Sequence, residues 1–406
     1  MIEFDPLSEA VFADPYPFYR RLRDESPVHY SEQYNCWFLS RFSDIWREEQ
    51  DHASYTIVDG QMPMQLLSNP ELEEMIESID RGELGESIAA LDPPRHTQVR
   101  SILAPHFKPT AAKALEDRTR ELVRGFISEW VDRGECDVIG DYAMRTSVRI
   151  ACIVSGLPLD MADWFVERVN SMFERDETDQ GFSLRAMTLV GELHAWLEEF
   201  ITERRRKPTD APDAINALFN SRPNGKPLSD KDVSANVSLM LIGGTETLPK
   251  AFSAGVYRLY QNPDQRAEIV KDPSLVTAAF REVLRYDMPT QALGRTVRIE
   301  KEVRGQKLRP GQGVLFLWAS ANHDAREFPD PDRFDIHRRA PRILTFGSGA
   351  HMCLGAHVAQ MEGRVMLEEL LAVAPEYEVL EDRATWIRSE VFRGFSSLPI
   401  RFNPPR

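Results

Sequence analysis

The strongest constraint in this 406-residue chain is the stretch Phe346-Gly347-Ser348-Gly349-Ala350-His351-Met352-Cys353-Leu354-Gly355. One cysteine closes a glycine-punctuated loop, and a helical pattern follows at once over 354–372. Glycines let a backbone take φ > 0 and pass close to a flat group where a Cβ would collide. The start of the following helix aims its positive dipole end at the sulfur, which lowers the thiol pKa and holds an anionic ligand. Such a loop suits a single thiolate ligand to a metal in a flat macrocycle. A structural zinc site would need further Cys or His at finger-like spacings, which this stretch lacks.

Bulk properties narrow the class. A formal net charge of −15 disfavours nucleic acid, whose phosphates would repel it. Four cysteines in so long a chain form no disulfide framework and fit a reducing cytoplasm. The N-terminus has neither a basic region nor an apolar core, and no run of about 18 apolar residues could span a bilayer. A cytoplasmic protein without a membrane anchor is expected. No Pro/Gly/Ser-rich linker divides the chain, so residues 1–406 are expected to form one domain.

The patterning is mostly helical with a small β portion. His29-Tyr30 and Trp37-Phe38-Leu39 read as a hairpin, and 313–317 as a strand. Helical patterns cover 94–133, broken near Pro105 to Pro109, and several segments of 141–207. A long helix is expected over 229–260 and another over 274–287. The basic end Arg204-Arg205-Arg206-Lys207 reads as a solvated helix cap.

Inside the long helix lies Gly243-Gly244-Thr245-Glu246-Thr247. Two glycines cost about 1 kcal/mol each against alanine in a helix interior, so another demand must favour them. Pro249, two residues on, removes a backbone hydrogen bond and is expected to kink the helix. Further along, Glu282 and Arg285 stand at i, i+3, followed by Phe328-Pro329-Asp330-Pro331-Asp332-Arg333-Phe334. His96 and Arg100 stand at i, i+4 just after Asp92-Pro93-Pro94.

Taken in order, these motifs resemble the cytochrome P-450 family. The cysteine stretch matches every fixed position of F-G-x-G-x-H-x-C-x-G, and the central segment matches A/G-G-x-D/E-T. The resemblance implies the single-domain P-450 fold, with haem b between the long central helix and the cysteine-loop helix. It implies Cys353 as iron ligand, with Phe346, Gly347, Gly349 and Gly355 shaping the loop. Gly243 and Gly244 let haem and dioxygen approach the central helix. Thr247 becomes the oxygen-binding alcohol and Glu246 the acid that relays protons. His96, Arg100, Arg295 and His351 become the haem propionate partners, a task suited to Arg–carboxylate pairs. Glu282, Arg285 and Arg333 become a structural network behind the haem. Leu239, Pro289 to Leu293, Phe395, Ser396, Phe173 and Phe182 are candidate substrate contacts.

The activity so implied is a monooxygenase that inserts one atom of dioxygen into a small or medium apolar substrate, by hydroxylation or O-demethylation. With no flavin or iron–sulfur segment evident, electrons are expected from a ferredoxin and its NAD(P)H-dependent reductase. The cluster Arg338-Arg339-Ala340-Pro341-Arg342 is the expected docking patch for that acidic partner. A peroxide-driven peroxygenase and a non-catalytic haem-thiolate ligand sensor are the alternatives.

Overall fold

The structure, a computed structural model, is described for residues 4–62, 85–173, 175 and 183–405. Phe182 therefore lies outside the described residues. Helices dominate, and the expected segments appear as Arg95–Leu103, Pro109–Trp130, Met144–Ser155, Ala162–Phe173, Leu184–Arg206 and Val276–Tyr286. The break foreseen near Pro105 is a 3-10 turn, Ala104–Phe107.

The central helix is Asp230–Gln261. Ser229 starts it with a reciprocal cap: its hydroxyl accepts from Asp232 N–H at 3.1 Å, and the Asp232 carboxylate accepts from Ser229 N–H at 3.0 Å. Its two halves enter different cores. Val233, Val237, Met240 and Leu241 pack into a cluster with the helices Met144–Ser155, Ala162–Phe173 and Leu184–Arg206. Leu248, Ala251, Phe252, Val256 and Leu259 pack into a second, larger cluster. The Gly-Gly-Thr-Glu-Thr segment falls at the seam between them. The helix runs unbroken through Pro249. Burial on both flanks offsets the lost hydrogen bond, a penalty of about 3 kcal/mol.

The foreseen hairpin pairs Val28–Ser31 with Cys36–Leu39. Cys36–Leu39 runs parallel to Gly313–Phe316, which pairs antiparallel with Leu293–Val297, and Tyr55–Thr56 completes the five-stranded sheet. This sheet holds Arg295 opposite Val314. The basic run ending Leu184–Arg206 is less solvated than foreseen. Arg204 bonds Asp213 at 2.8 Å, and Arg205 pairs with Asp230 at the start of the central helix. No helix among the described residues is long and apolar enough to cross a membrane.

Candidate active site

The cysteine loop is held by its own backbone. Cys353 N–H donates to the Phe346 carbonyl at 2.8 Å, closing the loop on itself. Gly347 and Gly349 have φ of +63° and +69°. A Cβ on Gly349 would lie 2.7 Å from the Glu49 carbonyl oxygen, so a side chain there meets both strain and backbone. Helix Ala356–Val373 begins three residues after the cysteine. Although the residue is open to solvent, the atoms packed around its sulfur desolvate the Cys353 thiol and push it up, while the N–H groups of Gly355 and Ala356 and the charge of Arg100 pull it down. The other cysteines, Cys36, Cys136 and Cys152, are buried, whereas Cys353 is exposed. Burial pushes the Cys152 thiol up to about 12. Among the described residues no group of three or more His, Cys, Asp or Glu could hold a metal together.

Four cation-capable groups converge beside this loop. His96 and Arg100 come from one face of helix Arg95–Leu103, Arg295 from the sheet and His351 from the loop itself. The rings of His96 and His351 are 4.1 Å apart between centroids. Arg100 donates to the Met352 carbonyl at 2.6 Å, and Arg295 to that of Gly294 at 2.6 Å. Burial first, then Arg100 and Arg295, pushes His96 down to about 4. Burial, Arg295, His96 and Arg100 push His351 down to about 3. Both His96 ring nitrogens are buried without a hydrogen-bond partner among the described residues. Orphaned buried nitrogens are costly, and these sit among cations. An anion with several oxygens would accept from the ring N–H and from the two arginines, and the two propionates of a haem fit this donor set.

The central helix presents an open stretch. Gly243 is exposed, and a Cβ there would meet nothing within 4 Å. Gly244 also has a packing role. Its Cβ would stand 3.0 Å from Ala151 Cβ, so it lets helix Met144–Ser155 cross closely. Thr247 donates its hydroxyl to the Gly243 carbonyl at 3.0 Å. Glu246 is buried and ion-paired with the equally buried Lys250. Lys250 was missed in the sequence, although its i, i+4 spacing from Glu246 was visible there. Thr245 Oγ1 is also buried without a partner among the described residues.

The structural network differs in one member. Arg285 donates to both Glu282 oxygens, at 2.8 and 2.7 Å, and to the Asn322 carbonyl at 2.7 Å. The third arginine is Arg338, not Arg333. Arg338 donates to Glu282 at 3.0 Å and to the carbonyls of Asp330 and Arg333 at 2.9 Å each. Arg333 itself is exposed and contributes only its carbonyl. Asn322 extends the network to the cysteine loop by accepting from Leu344 N–H at 2.8 Å and donating to Thr345 Oγ1 at 3.1 Å. The foreseen docking patch is correspondingly dismantled. Arg338 faces inward, Arg342 is paired with Glu327 at 2.8 Å, and only Arg339 of the three is exposed without such a pairing.

Among the candidate substrate contacts, Leu239 and Leu293 are half-buried. Phe395 is a core residue whose ring packs on Tyr257 and Trp386, and Ser396 bonds Thr385 at 2.8 Å. Both lie beside the far half of the central helix. The C-terminal turn instead brings Phe392 against Phe173, with ring centroids 4.7 Å apart, and bridges to Thr290. Lys250 Nζ lies 6.0 Å from the Phe392 ring centroid.

Known proteins resemble the whole chain. The family model described as Cytochrome P450 matches residues 178–373. Cytochrome P450 130 of Mycobacterium tuberculosis is 31% identical over 413 residues, covering 98% of each chain. A vitamin D(3) 25-hydroxylase of Pseudonocardia autotrophica is 30% identical over 411 residues, covering 99% of this chain and 97% of its own. The crystal structure of CYP109E1 from Bacillus megaterium in complex with testosterone superposes with a TM-score of 0.85 at 25% identity, covering 97% of this chain and 99% of its own.

Proposed function

This chain belongs to the cytochrome P450 family of haem monooxygenases, and on that premise we propose that Cys353 is the thiolate ligand to a haem b whose propionates are held by His96, Arg100, Arg295 and His351. The observation that carries this reading is the pair of orphaned, buried His96 nitrogens among three further cation-capable groups beside the only exposed cysteine. Phe346, Gly347, Gly349 and Gly355 shape the loop, and Gly243 keeps the opposite wall free of side chains. Glu282, Arg285 and Arg338 fix the loop from behind. Residues 1–406 form one domain in this reading, and the protein works in the cytoplasm.

When bound, a thiolate-ligated haem supplies dioxygen activation and favours O–O cleavage. The chain's own part is positioning and proton supply. Thr247 Oγ1 can rotate from the Gly243 carbonyl toward the open side of the helix, where it offers both a donor and an acceptor. Glu246 relays a proton taken up from solvent to Thr247, and its ion pair with Lys250 sets the position of that carboxylate. Delivery of a proton by a positioned acid is worth typically 10²–10⁴-fold in rate. The balanced reaction consumes an apolar substrate, dioxygen, two electrons and two protons, and yields the hydroxylated product and water. O-demethylation follows where the hydroxylated carbon is a methoxy carbon. A ferredoxin with its NAD(P)H-dependent reductase supplies the electrons. The relative named for hydroxylating vitamin D(3) and the neighbour solved with testosterone support an apolar organic substrate.

The test is spectroscopic first. The reduced carbon monoxide complex of the wild type should have the strongly red-shifted Soret band of thiolate ligation, and Cys353→His should lose it. Persistence of that band in the variant removes Cys353 from the iron. NAD(P)H consumption matched by product, with ferredoxin and reductase present, supports the monooxygenase. Product formed only with added peroxide, or ligand binding without turnover, overturns the electron-transfer part.

A further inference from the structure

Glu49 is an acid buried against the cysteine loop that the proposed function does not use. It caps the helix Phe42–Glu48. Oε1 accepts the Trp318 indole N–H at 2.8 Å, and Oε2 accepts the Ser348 hydroxyl at 2.9 Å. Both positive-φ glycines wrap around it. A Cβ on Gly347 would lie 3.4 Å from Glu49 Oε1, and one on Gly349 would lie 2.7 Å from its carbonyl oxygen. The first half of the loop carrying Cys353 thus closes around this residue.

The two partners are chemically unequal. Indole N–H is a donor only, whereas a serine hydroxyl both donates and accepts. A proton arriving at Glu49 therefore cannot sit on Oε1 without losing the Trp318 bond. It sits on Oε2, and the Ser348 hydroxyl reverses from donor to acceptor. Proton uptake is transmitted into the loop five residues before Cys353. Burial raises the Glu49 carboxyl to about 7, opposed by Ser348, then Arg295, then Trp318. Arg295 is the charged group acting on it, and in turn feels Glu49 and Asp92. The adjacent Glu48 is turned away, toward Tyr55, Lys301 and Arg47. His52 acts on His351, which also faces His96, Arg100 and Arg295.

We propose that Glu49 is a positioning residue that links a proton to the haem electron: when an external one-electron donor reduces the iron, Glu49 takes one proton from water and the Ser348 hydroxyl reverses. The electron adds negative charge near the loop, and the neutral carboxyl removes it. The sign follows. Reduction favours the protonated acid, so the potential falls as pH rises through the window in which Glu49 titrates. Within that window each pH unit changes the reduction equilibrium by up to tenfold, which is 59 mV for one electron.

This inference rests on Cys353 being the iron ligand, and the experiment separates the two. Holoenzyme is titrated with dithionite in a spectroelectrochemical cell between pH 5.5 and 8.5 (roughly centred on neutrality, where a buried carboxyl so raised titrates). The carbon monoxide band is recorded alongside. Wild type should have a potential that falls with pH and levels off at both ends. Glu49→Gln mimics the neutral acid, since its carbonyl oxygen accepts from Trp318 and its amide donates to Ser348. It should be pH-independent at the higher, acid-limit potential. Glu49→Asp retains a titrating acid and should retain a slope, which keeps the test valid if the glutamine variant binds no haem. Ser348→Ala removes one bond to the ionised form and should move the window to higher pH. A thiolate band with a flat wild-type potential, or an unchanged slope in Glu49→Gln, overturns this inference alone. Absence of the thiolate band overturns the Cys353 assignment instead.

Discussion

Replacing Arg338 should damage this protein far more than replacing Arg333, although the order of motifs along the chain favours Arg333. The Arg338 side chain is 9% exposed and its partner Glu282 is 2% exposed. Removing one partner of a buried pair costs about 3–5 kcal/mol when the other charge is stranded. Glu282 is not stranded in Arg338→Ala. It keeps both bonds from Arg285 and one from Asp335 N–H at 3.2 Å. The carbonyls of Asp330 and Arg333 lie near the surface and can rehydrate. What is lost outright is one charge-assisted hydrogen bond plus the packing of the arginine stem, about 2–3 kcal/mol. Arg333→Ala removes an exposed side chain and should stay within about 0.5 kcal/mol. Because a haem protein need not unfold in two states, the assay is the urea midpoint for loss of the thiolate Soret band in the reduced carbon monoxide complex. That band reports the loop the network supports. If Arg333→Ala lowers the midpoint as much as Arg338→Ala does, the network is misassigned.

Three further outcomes follow from the geometry. Thr247→Ala should keep substrate binding but divert reducing equivalents to peroxide, and an unchanged product yield per NAD(P)H would exclude the hydroxyl from proton delivery. Gly349→Ala places a Cβ 2.7 Å from the Glu49 carbonyl at a φ of +69°, and should cost at least about 1 kcal/mol in backbone strain, read as a lower haem content at equal expression. His96 is held at about 4, below its unfolded value of about 6.5. The unfolded state therefore binds more protons in between, and the haem-free protein should lose stability as pH falls from about 6.5 toward about 4. Urea midpoints of haem-free wild type and His96→Gln at both ends of that range check this, and the variant should lose less.

The parts of this protein legible in the sequence are those set by neighbours along the chain. The cysteine loop needs glycines at Gly347 and Gly349 because its turns take positive φ. The central helix starts at Asp230 because Ser229 and Asp232 cap it across three residues. The hairpin and the break near Pro105 are equally local. Apolar periodicity located most helices for the same reason, since it reports which face each one buries. The tertiary structure decided everything that depends on which elements meet. Arg338 rather than Arg333 reaches Glu282, because distance across a loop is not sequence offset. Gly244 lets Ala151, some ninety residues earlier in the chain, pack closely against the central helix. Phe395 turned to Tyr257 and Trp386, leaving Phe392 beside Lys250. Glu49 carries no motif at all. Its importance arises only where three segments close around one carboxylate, in surroundings where burial makes every unpaired charge and donor count.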